Sequence, residues 1–427
     1  MNKQKVLYSD YFLDYQSTTP TDPDVLNIMN IVSRDFFANP HSAHGLGRAS
    51  HDLIEQSISL IQQNLGSEDY KHIFTSGATE SNNLFIRGLK DHLLKHRLKA
   101  VTVKTEHKCV LNSFHYLEKE GVEVQYIDVQ SNGLIDLDYL SEQLENVGLI
   151  SVMMVNNEIG TIQPIKEISN LVKPKGIIFH SDIAQAMGRL PINLNDLGLD
   201  AVSISGHKFY GPKGVGLLIM SDFIKDLVKP LILGGGQQDN LRSGTLPTPL
   251  CVGIARAIDL YQQIDFLVHQ HHSQYNLWTN LFALVRERYN FTINGIEATE
   301  DINNTKRIAA NLNICFENFE AFTLLNNLSE FQLSTGSACS SGEFDYSHVL
   351  RALKLPDEVL KGSIRVSQGH SSHSAIFNLR NKLVKLHNPS LKMPPSKDSG
   401  TQLSDLFLKK NRNPKHPLYK TLKYRYI

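Results

Sequence analysis

The residue whose type and position most clearly suggest a chemical role is Lys208, in the segment Ser205-Gly-His207-Lys208-Phe-Tyr-Gly211. Two apolar, strand-like runs flank it, residues 201–204 before and residues 215–220 after. A lysine between buried strands is unusual, because burying an uncompensated ammonium group is costly. Such a lysine often forms a Schiff base with a cofactor carbonyl. The alternative is a surface hairpin whose lysine faces solvent, and this segment alone does not decide between the two.

Other polar motifs follow strand-like runs in the same way. They occupy residues 75–79, 104–107, 156–158, 180–182 and 205–208. Because ligands bind at the carboxyl ends of the strands in parallel sheets, we expect the five motifs to converge on one rim.

The rim supplies the groups that pyridoxal phosphate requires. Lys208 can carry the cofactor and take the α-proton of a substrate, and Asp182 can hold the pyridine nitrogen protonated. His107 could lie over the ring face, while Asn157 and Gln185 are candidate partners of its phenolic oxygen. Taken singly, Asp182 could instead cap a helix and His107 could be a hydrogen-bonded core histidine.

The phosphate group would bind where residues 76–79 open a helix, since free backbone N–H groups at a helix N-terminus attract anions. Ser205 and His207 are placed to add donors. A second candidate centre is Cys339, in a run of small, polar residues that is typical of a mobile exposed loop. An accessible thiol there is a candidate nucleophile if its pKa is lowered, and otherwise an inert loop cysteine.

The elements that must position these residues alternate between strands and helices from about residue 70 to 220, which predicts an α/β fold with a mostly parallel central sheet flanked by helices. We assign residues 15–255 to this large domain. Residues 1–14 and 256–388 are predicted to form a smaller α+β domain that carries the Cys339 loop. Residues 389–427 are predicted to be a basic tail.

Composition excludes several classes of protein. The 427 residues have a formal net charge of zero, so no general affinity for polyanions is expected. No apolar run is long enough to span a membrane, and the N-terminus lacks a signal-peptide pattern. The four cysteines are scattered, which argues against a zinc ribbon or a disulfide framework, so we expect no metal and a reducing, cytoplasmic location.

A set of motifs in order along residues 8–385 resembles the cysteine desulfurases, a family of class-V aminotransferase-like, fold-type I pyridoxal phosphate enzymes. The matching motifs are Leu13-Asp-Tyr, Asn39-Pro-His-Ser, Thr75-Ser-Gly-Ala-Thr-Glu-Ser, Thr105-Glu-His-Lys, Val155-Asn-Asn-Glu-Ile-Gly, Ser205-Gly-His-Lys, Gly234-Gly-Gly, Arg242-Ser-Gly-Thr-Leu-Pro, Gly336-Ser-Ala-Cys and Ser363-Ile-Arg.

The resemblance implies a role for each candidate. Lys208 would carry the cofactor, Asp182 would pair with its pyridinium, and His107 would stack on the ring and shuttle protons. Arg365, with Asn39, would bind the carboxylate of L-cysteine, and Cys339 would accept the sulfur and pass it to an acceptor protein. The residues implied to bind phosphate are Ala78, Thr79, Ser205, His207 and, from the neighbouring subunit of a homodimer, Thr245.

Three departures from the family pattern stand out. Ile183 replaces a small residue after Asp182, which predicts a tighter ring pocket, and His370 replaces the usual arginine, which puts one anion contact in doubt. The tail has seven Lys or Arg and no acid after Asp405. It is either a solvated appendage or a docking surface for an acidic partner or nucleic acid.

The leading interpretation is a cysteine desulfurase that releases alanine and leaves a persulfide on Cys339. A selenocysteine lyase, another class-V enzyme, or an inactive sulfur-relay scaffold are the alternatives. The acceptor pathway stays open among iron–sulfur assembly, tRNA thiolation and DNA phosphorothioation.

Overall fold

The computed structural model describes residues 10–335 and 346–386, and these residues contain two sheets. The strands are β1 Tyr70–Thr75, β2 Lys99–Val103, β3 Val124–Ile127, β4 Val147–Ser151, β5 Ile178–Asp182, β6 Ala201–Ser205, β7 Gly216–Ser221, β8 Phe291–Ile293, β9 Asn311–Phe316 and β10 Ser363–Ser367. The helices are α1 Pro23–Asp35, α2 Gly45–Leu65, α3 Ala78–Gly88, α4 Lys90–His96, α5 Lys108–Lys119, α6 Leu137–Glu142, α7 Ile165–Val172, α8 Leu194–Leu197, α9 Thr248–Tyr261, α10 Ile264–Val285, α11 Ala321–Asn327, α12 His348–Ala352, α13 Asp357–Gly362 and α14 His373–Lys385.

The larger sheet has seven strands in the order β1-β7-β6-β5-β4-β2-β3. All neighbouring pairs are parallel except those that involve β7, which runs antiparallel to β1 and β6. The strand-like runs of the sequence between residues 70 and 220, which are residues 72–75, 100–103, 122–127, 149–155, 176–180, 201–205 and 215–220, all contribute strands to this sheet, and the predicted α/β fold is confirmed.

Both faces of this sheet are buried, so its strands read as nearly continuous apolar runs. Successive residues of β5 show the alternation: Ile178 joins the apolar cluster that includes Phe85 and Phe114, whereas Phe179 joins the cluster on the opposite face. Helices α3 and α5 cover the first face. The polar residues of the site therefore lie at the strand ends.

One predicted helix is divided in two. The sequence from residue 80 to 96 contains no proline and predicts a single helix, but α3 ends at Gly88 and α4 begins at Lys90. The carbonyl oxygen of Gly88 accepts a hydrogen bond from the backbone N–H of Lys229 at 3.0 Å, which takes it out of the helical ladder. A Cβ atom at Gly88 would lie 2.7 Å from the Val228 side chain, so only glycine allows this approach.

The smaller sheet is antiparallel, in the order β10-β9-β8. Its apolar residues, such as Leu312 and Ile364, face Trp278 of α10 and Leu379 of α14. Phe12 and Asp14 form isolated β-bridges with Gln332 and Ser367, so the first described residues lie beside this sheet. The division into a large and a small domain stays a prediction, and the predicted tail lies outside the described residues. None of the described helices has the length and apolarity needed to cross a membrane.

Candidate active site

A cavity of about 690 Å³ opens at the carboxyl ends of β1, β5 and β6. It is lined by residues from every motif that was expected at the rim. The predicted site residues in its lining are Ala78, Thr79, His107, Asn157, Asp182, Gln185, Ser205, His207, Lys208 and Arg365. The strand ends of the seven-stranded sheet bring most of these residues together, and Arg365 reaches the cavity from β10 of the smaller sheet, so the set spans almost 290 positions of sequence.

Lys208 ends a short 3₁₀ turn that directly follows β6. Its Nζ donates hydrogen bonds to the backbone carbonyls of Gln16 at 2.8 Å and Ser17 at 2.9 Å. Burial, followed by the positive charges of Arg189 and Arg365, lowers the pKa of Lys208 to about 8. Near neutral pH a useful fraction of this amine is therefore uncharged and able to act as a nucleophile or base.

Asp182 is the last residue of β5, and its side chain is 6% exposed. One carboxylate oxygen accepts a hydrogen bond from the Asn82 side-chain amide at 2.7 Å, and the other accepts from the backbone N–H of Ala184 at 2.9 Å. The carboxylate is thereby fixed in position at the cavity wall. A fixed buried carboxylate suits a partner that carries a positive charge.

The predicted phosphate site lies at the N-terminus of α3. Gly77 is the residue before this helix, no side chain caps the helix there, and residues 76–79 line the cavity, so the free N–H groups of the first turn can serve an anion. A Cβ atom at Gly216 of the neighbouring strand would lie 2.5 Å from the Gly77 Cα atom, so the close approach of these two segments requires glycine. His207 contacts the Thr18 hydroxyl through Nδ1 at 3.0 Å, and burial lowers the pKa of His207 to about 4. His207 is therefore a neutral hydrogen-bonding group.

Arg365 lies on β10 and is 4% exposed. Its guanidinium donates to the Asp14 carboxylate at 2.7 Å, to the Ser17 hydroxyl at 2.8 Å and to the Asn157 carbonyl at 3.0 Å. Its Nε is buried and has no hydrogen-bond partner. A buried guanidinium at the cavity wall is suited to an anionic ligand group such as a carboxylate.

Several buried polar atoms at the cavity have no partner. Both side-chain amide atoms of Gln16 and the Oε1 of Gln185 are of this kind. Because leaving such groups unpaired is costly, they mark a place where a polar ligand completes the structure. With Lys208, Asp182 and the α3 N-terminus, they form a donor set that fits pyridoxal phosphate. Lys208 would hold its aldehyde carbon, Asp182 its ring nitrogen and residues 77–79 its phosphate.

Two predicted site residues are not in the cavity, and a third falls on a segment that the structure does not describe. Asn39 was expected to act with Arg365, but it is exposed and does not line the cavity of its own chain. Thr245 is also exposed. The segments that contain these two residues meet elsewhere, around a separate cavity of about 210 Å³ lined by Pro40, His41 and Leu246. The third residue, Cys339, lies outside the described residues.

The two departures within the described residues have structural roles. Ile183 is fully buried in the apolar core and does not line the cavity, because the residue after Asp182 points to the opposite side. The expected narrowing of the ring pocket is therefore not produced by its side chain. His370 packs on the rings of Tyr210 and Tyr261, with centroids 4.3 and 5.9 Å away, and lies outside the cavity lining.

Sequence reasoning missed residues that fix the site in place, including Gln16, Asn82 and Arg189. The Arg189 guanidinium donates to the carbonyls of Tyr15, Gln185 and Lys208, all at 3.3 Å, and so joins three segments of the site. Gln16 and Asn82 directly follow quoted motifs, whereas Arg189 lies outside them. Their types carry no chemical signal, since an amide or arginine is usual on a protein surface.

Comparison with known proteins agrees with this site. The Aminotransferase class-V family model matches residues 11–375. The cysteine desulfurase IscS of Rickettsia typhi is 40% identical over 374 residues, which is 86% of this chain and 89% of that protein. A NifS-like protein of known structure has a TM-score of 0.79 at 31% identity, covering 88% of this chain and 98% of its own. The structure of SspA in complex with cysteine has a TM-score of 0.73 at 35% identity, covering 84% and 98%.

The matches extend over both sheets and over every described segment of the cavity wall. The chain belongs to the class-V aminotransferase family and, within it, to the cysteine desulfurases, which use pyridoxal phosphate.

Proposed function

We propose that this protein removes sulfur from L-cysteine, releases L-alanine and leaves a persulfide on Cys339. The observation that carries the proposal is the pairing, in one cavity, of an amine whose pKa is lowered to about 8 with a fixed buried carboxylate, Lys208 and Asp182. SspA, a structural relative, was solved with cysteine bound, which supports L-cysteine as the substrate.

Each residue has a defined task in this proposal. When bound, pyridoxal phosphate supplies an electron sink for the α-carbon of the substrate. The Nζ of Lys208 takes the α-proton and later returns a proton to carbon. Arg365, whose guanidinium lines the cavity, binds the substrate carboxylate. Cys339 Sγ attacks the substrate sulfur, so that an S–S bond forms as the C–S bond breaks.

The test uses the full-length protein purified with pyridoxal phosphate. We expect bound-cofactor absorbance and release of alanine from L-cysteine when a thiol reductant is present. Cys339→Ser should keep the absorbance and lose sulfur release, whereas Cys251→Ser, a change at a buried cysteine of α9, should keep both. Protein that binds no added cofactor would contradict the proposal. A Cys339→Ser variant that still releases sulfur would favour the sibling class-V enzymes.

We also propose a homodimer in which Thr245 reaches the phosphate site of the neighbouring subunit. Thr245 is exposed and lies outside the cavity of its own chain. The same surface segment exposes Leu231, Ile232 and Leu233, at 39%, 41% and 81%, and such an apolar run favours burial against another chain. A backbone hydrogen bond from Ser243 to Ile232 joins this run to the Thr245 loop.

Mixed dimers test the origin of Thr245. In a dimer of one Lys208→Ala chain and one Thr245→Asp chain, a shared site leaves one complete active site. Activity should then return to about half of the wild-type value, although each parent dimer is inactive or weak. If the mixed dimer stays as inactive as its parents, Thr245 acts within its own chain or not at all.

The persulfide is then passed to an acceptor protein, and we propose that the reaction takes place in the cytoplasm. Iron–sulfur assembly, tRNA thiolation and DNA phosphorothioation are the three acceptor pathways that fit this chemistry. The basic tail, residues 389–427, is the candidate docking segment for an acidic acceptor, and any direct contact with nucleic acid would be made through it.

A further inference from the structure

The ring of His107 is held by its own helix. His107 is the residue before α5, and its Nδ1 accepts a hydrogen bond from the backbone N–H of Cys109 at 3.2 Å. A ring nitrogen that accepts a hydrogen bond from a backbone N–H has no proton of its own. In the neutral ring the proton therefore lies on Nε2.

A second donor faces the same ring nitrogen. The Sγ atom of Cys109 lies 3.0 Å from His107 Nδ1. Burial, followed by the charge of Asp182, raises the pKa of Cys109 to about 12, so the thiol keeps its proton. Because Nδ1 is already an acceptor, the thiol can only donate to it.

Asn82 fixes the direction of this contact. Its side-chain amide nitrogen donates to Asp182 Oδ2 at 2.7 Å and to Cys109 Sγ at 3.2 Å. The opposite amide orientation would place an oxygen against the Asp182 carboxylate, which is repulsive. The sulfur thus accepts from Asn82 and gives its own proton to His107, in a chain of contacts from Asp182 to the ring.

We propose that Cys109 and Asn82 are positioning residues that hold His107 in the neutral, Nε2-protonated form, so that His107 donates a hydrogen bond from Nε2 and takes up no second proton at Nδ1. A proton added at Nδ1 would meet two donors and would break both contacts. The inference rests on the proposed function in one respect only, which is that the group facing His107 in the cavity is pyridoxal phosphate. The sequence resemblance implies that His107 shuttles protons. In this proposal His107 acts as a hydrogen-bond donor, and Lys208 transfers the proton at the α-carbon.

The charged groups around His107 fit this assignment. Desolvation by the surrounding protein lowers its pKa, although the ring is open to the cavity. Asp182 acts in the opposite direction, and Lys208, His348 and Lys108 add to the lowering. These groups come from β5, the turn after β6, α12 and α5, so three elements contribute to the lowering of the His107 pKa and one opposes it.

The same geometry argues against Cys109 as a second sulfur acceptor. Sulfur transfer requires a thiolate, and a buried thiol with a pKa of about 12 is almost wholly protonated near neutral pH. Its sulfur is also engaged by Asn82. Cys109 is suited to donate a hydrogen bond.

The experiment is ¹⁵N NMR of the full-length holoenzyme with labelled histidine, in which His107 is identified by the signal lost in His107→Gln. We expect an unprotonated Nδ1 and a protonated Nε2 at neutral pH, because the pKa of His107 is lowered. In Cys109→Ala, His107 should titrate at a higher pH than in the wild type. Cys109→Ser, which keeps a donor, should restore the wild-type behaviour, and Cys251→Ala should change nothing.

Two results would overturn the proposal. One is a wild-type His107 that carries its proton on Nδ1 or is doubly protonated at neutral pH. The other is a Cys109→Ala variant whose His107 titrates like the wild type. Neither readout depends on turnover, so a failure of the desulfurase proposal would appear in the alanine assay and would leave this measurement intact.

Discussion

Two buried polar clusters of this protein differ in how well their atoms are paired. In the three-stranded sheet, the Asn294 amide nitrogen donates to Asn313 Oδ1 at 2.7 Å and to Ser363 Oγ at 2.8 Å. At the rim of the seven-stranded sheet, by contrast, buried atoms of Gln16 and Gln185 have no partner. The first cluster is complete by itself and stabilises the fold. The second leaves unpaired atoms at the cavity, where a polar ligand can pair them, because unpaired buried polar groups are costly.

The comparison teaches which buried polar residues to assign to function. Polarity and burial are alike in the two clusters, since Asn294 and Gln185 are 3% and 5% exposed. What differs is the pairing, together with a lysine whose pKa is lowered to about 8 at the rim. Substitutions in the paired cluster should therefore mainly lower the free energy of unfolding, whereas substitutions in the unpaired cluster should mainly weaken cofactor binding.

The largest effect is expected from Lys208→Ala. Removing the group that carries the cofactor and moves the α-proton should lower alanine release by about 10²–10⁴-fold or more. Absorbance of the bound cofactor should also disappear. Lys225→Ala, at a lysine that forms an exposed ion pair with Asp222, is the control and should keep both signals. Substantial alanine release by Lys208→Ala would show that Lys208 is not required for the reaction and would contradict the proposed active site.

A matched pair of variants tests the contrast directly. Asn294→Ala leaves buried partners unpaired, so the free energy of unfolding should fall by about 1–3 kcal/mol, with cofactor affinity unchanged. Gln185→Ala removes the hydrogen bond from its Nε2 to the Gln16 carbonyl, but that carbonyl still accepts from Lys208. The free energy of unfolding should therefore fall less than in Asn294→Ala, and cofactor binding should weaken by about 3- to 10-fold. Denaturant unfolding and cofactor titration measure the two quantities. The distinction fails if both variants lose stability and affinity in the same ratio.

The pH dependence of cofactor capture sharpens the assignment of Lys208. Its pKa is lowered to about 8 in the fold, so the amine is charged below that pH and neutral above it. Only the neutral amine attacks a carbonyl. The rate at which cofactor-free protein captures pyridoxal phosphate should rise about fivefold from pH 7 to pH 8 and level off above about pH 9. A rate that keeps rising tenfold per pH unit to pH 10 would indicate a solvent-exposed lysine of ordinary pKa.

Truncation of the tail is expected to have the smallest effect on catalysis. Deleting residues 403–427 should leave alanine release with free cysteine and reductant nearly unchanged, because these residues follow all of the motifs of the site. Persulfide transfer to the acceptor protein should fall, and most at low salt, where charge attraction is least screened.

Each contrary result for the tail has a clear meaning. Equal transfer by truncated and full-length enzyme at every salt concentration would make the tail a solvated appendage. Loss of alanine release on truncation would place the tail in the fold or in the dimer.

The sequence by itself determined the sheet and most of the cavity wall. The strand-like runs were apolar over most of their length because both faces of the sheet are buried, and their polar ends identified Asp182, Lys208 and residues 76–79. In a parallel sheet these ends must meet, so order along the chain was enough to predict a common rim.

Only the tertiary structure decided which neighbours those residues have. Ile183 turns into the core, Asn39 lies on the surface away from Arg365, and Gly88 ends a helix because Lys229 takes its carbonyl. The link from Asp182 through Asn82 to Cys109 joins residues 100 and 27 positions apart in sequence. Side-chain direction and pairing depend on such long-range contacts, and no local pattern of residue types encodes them.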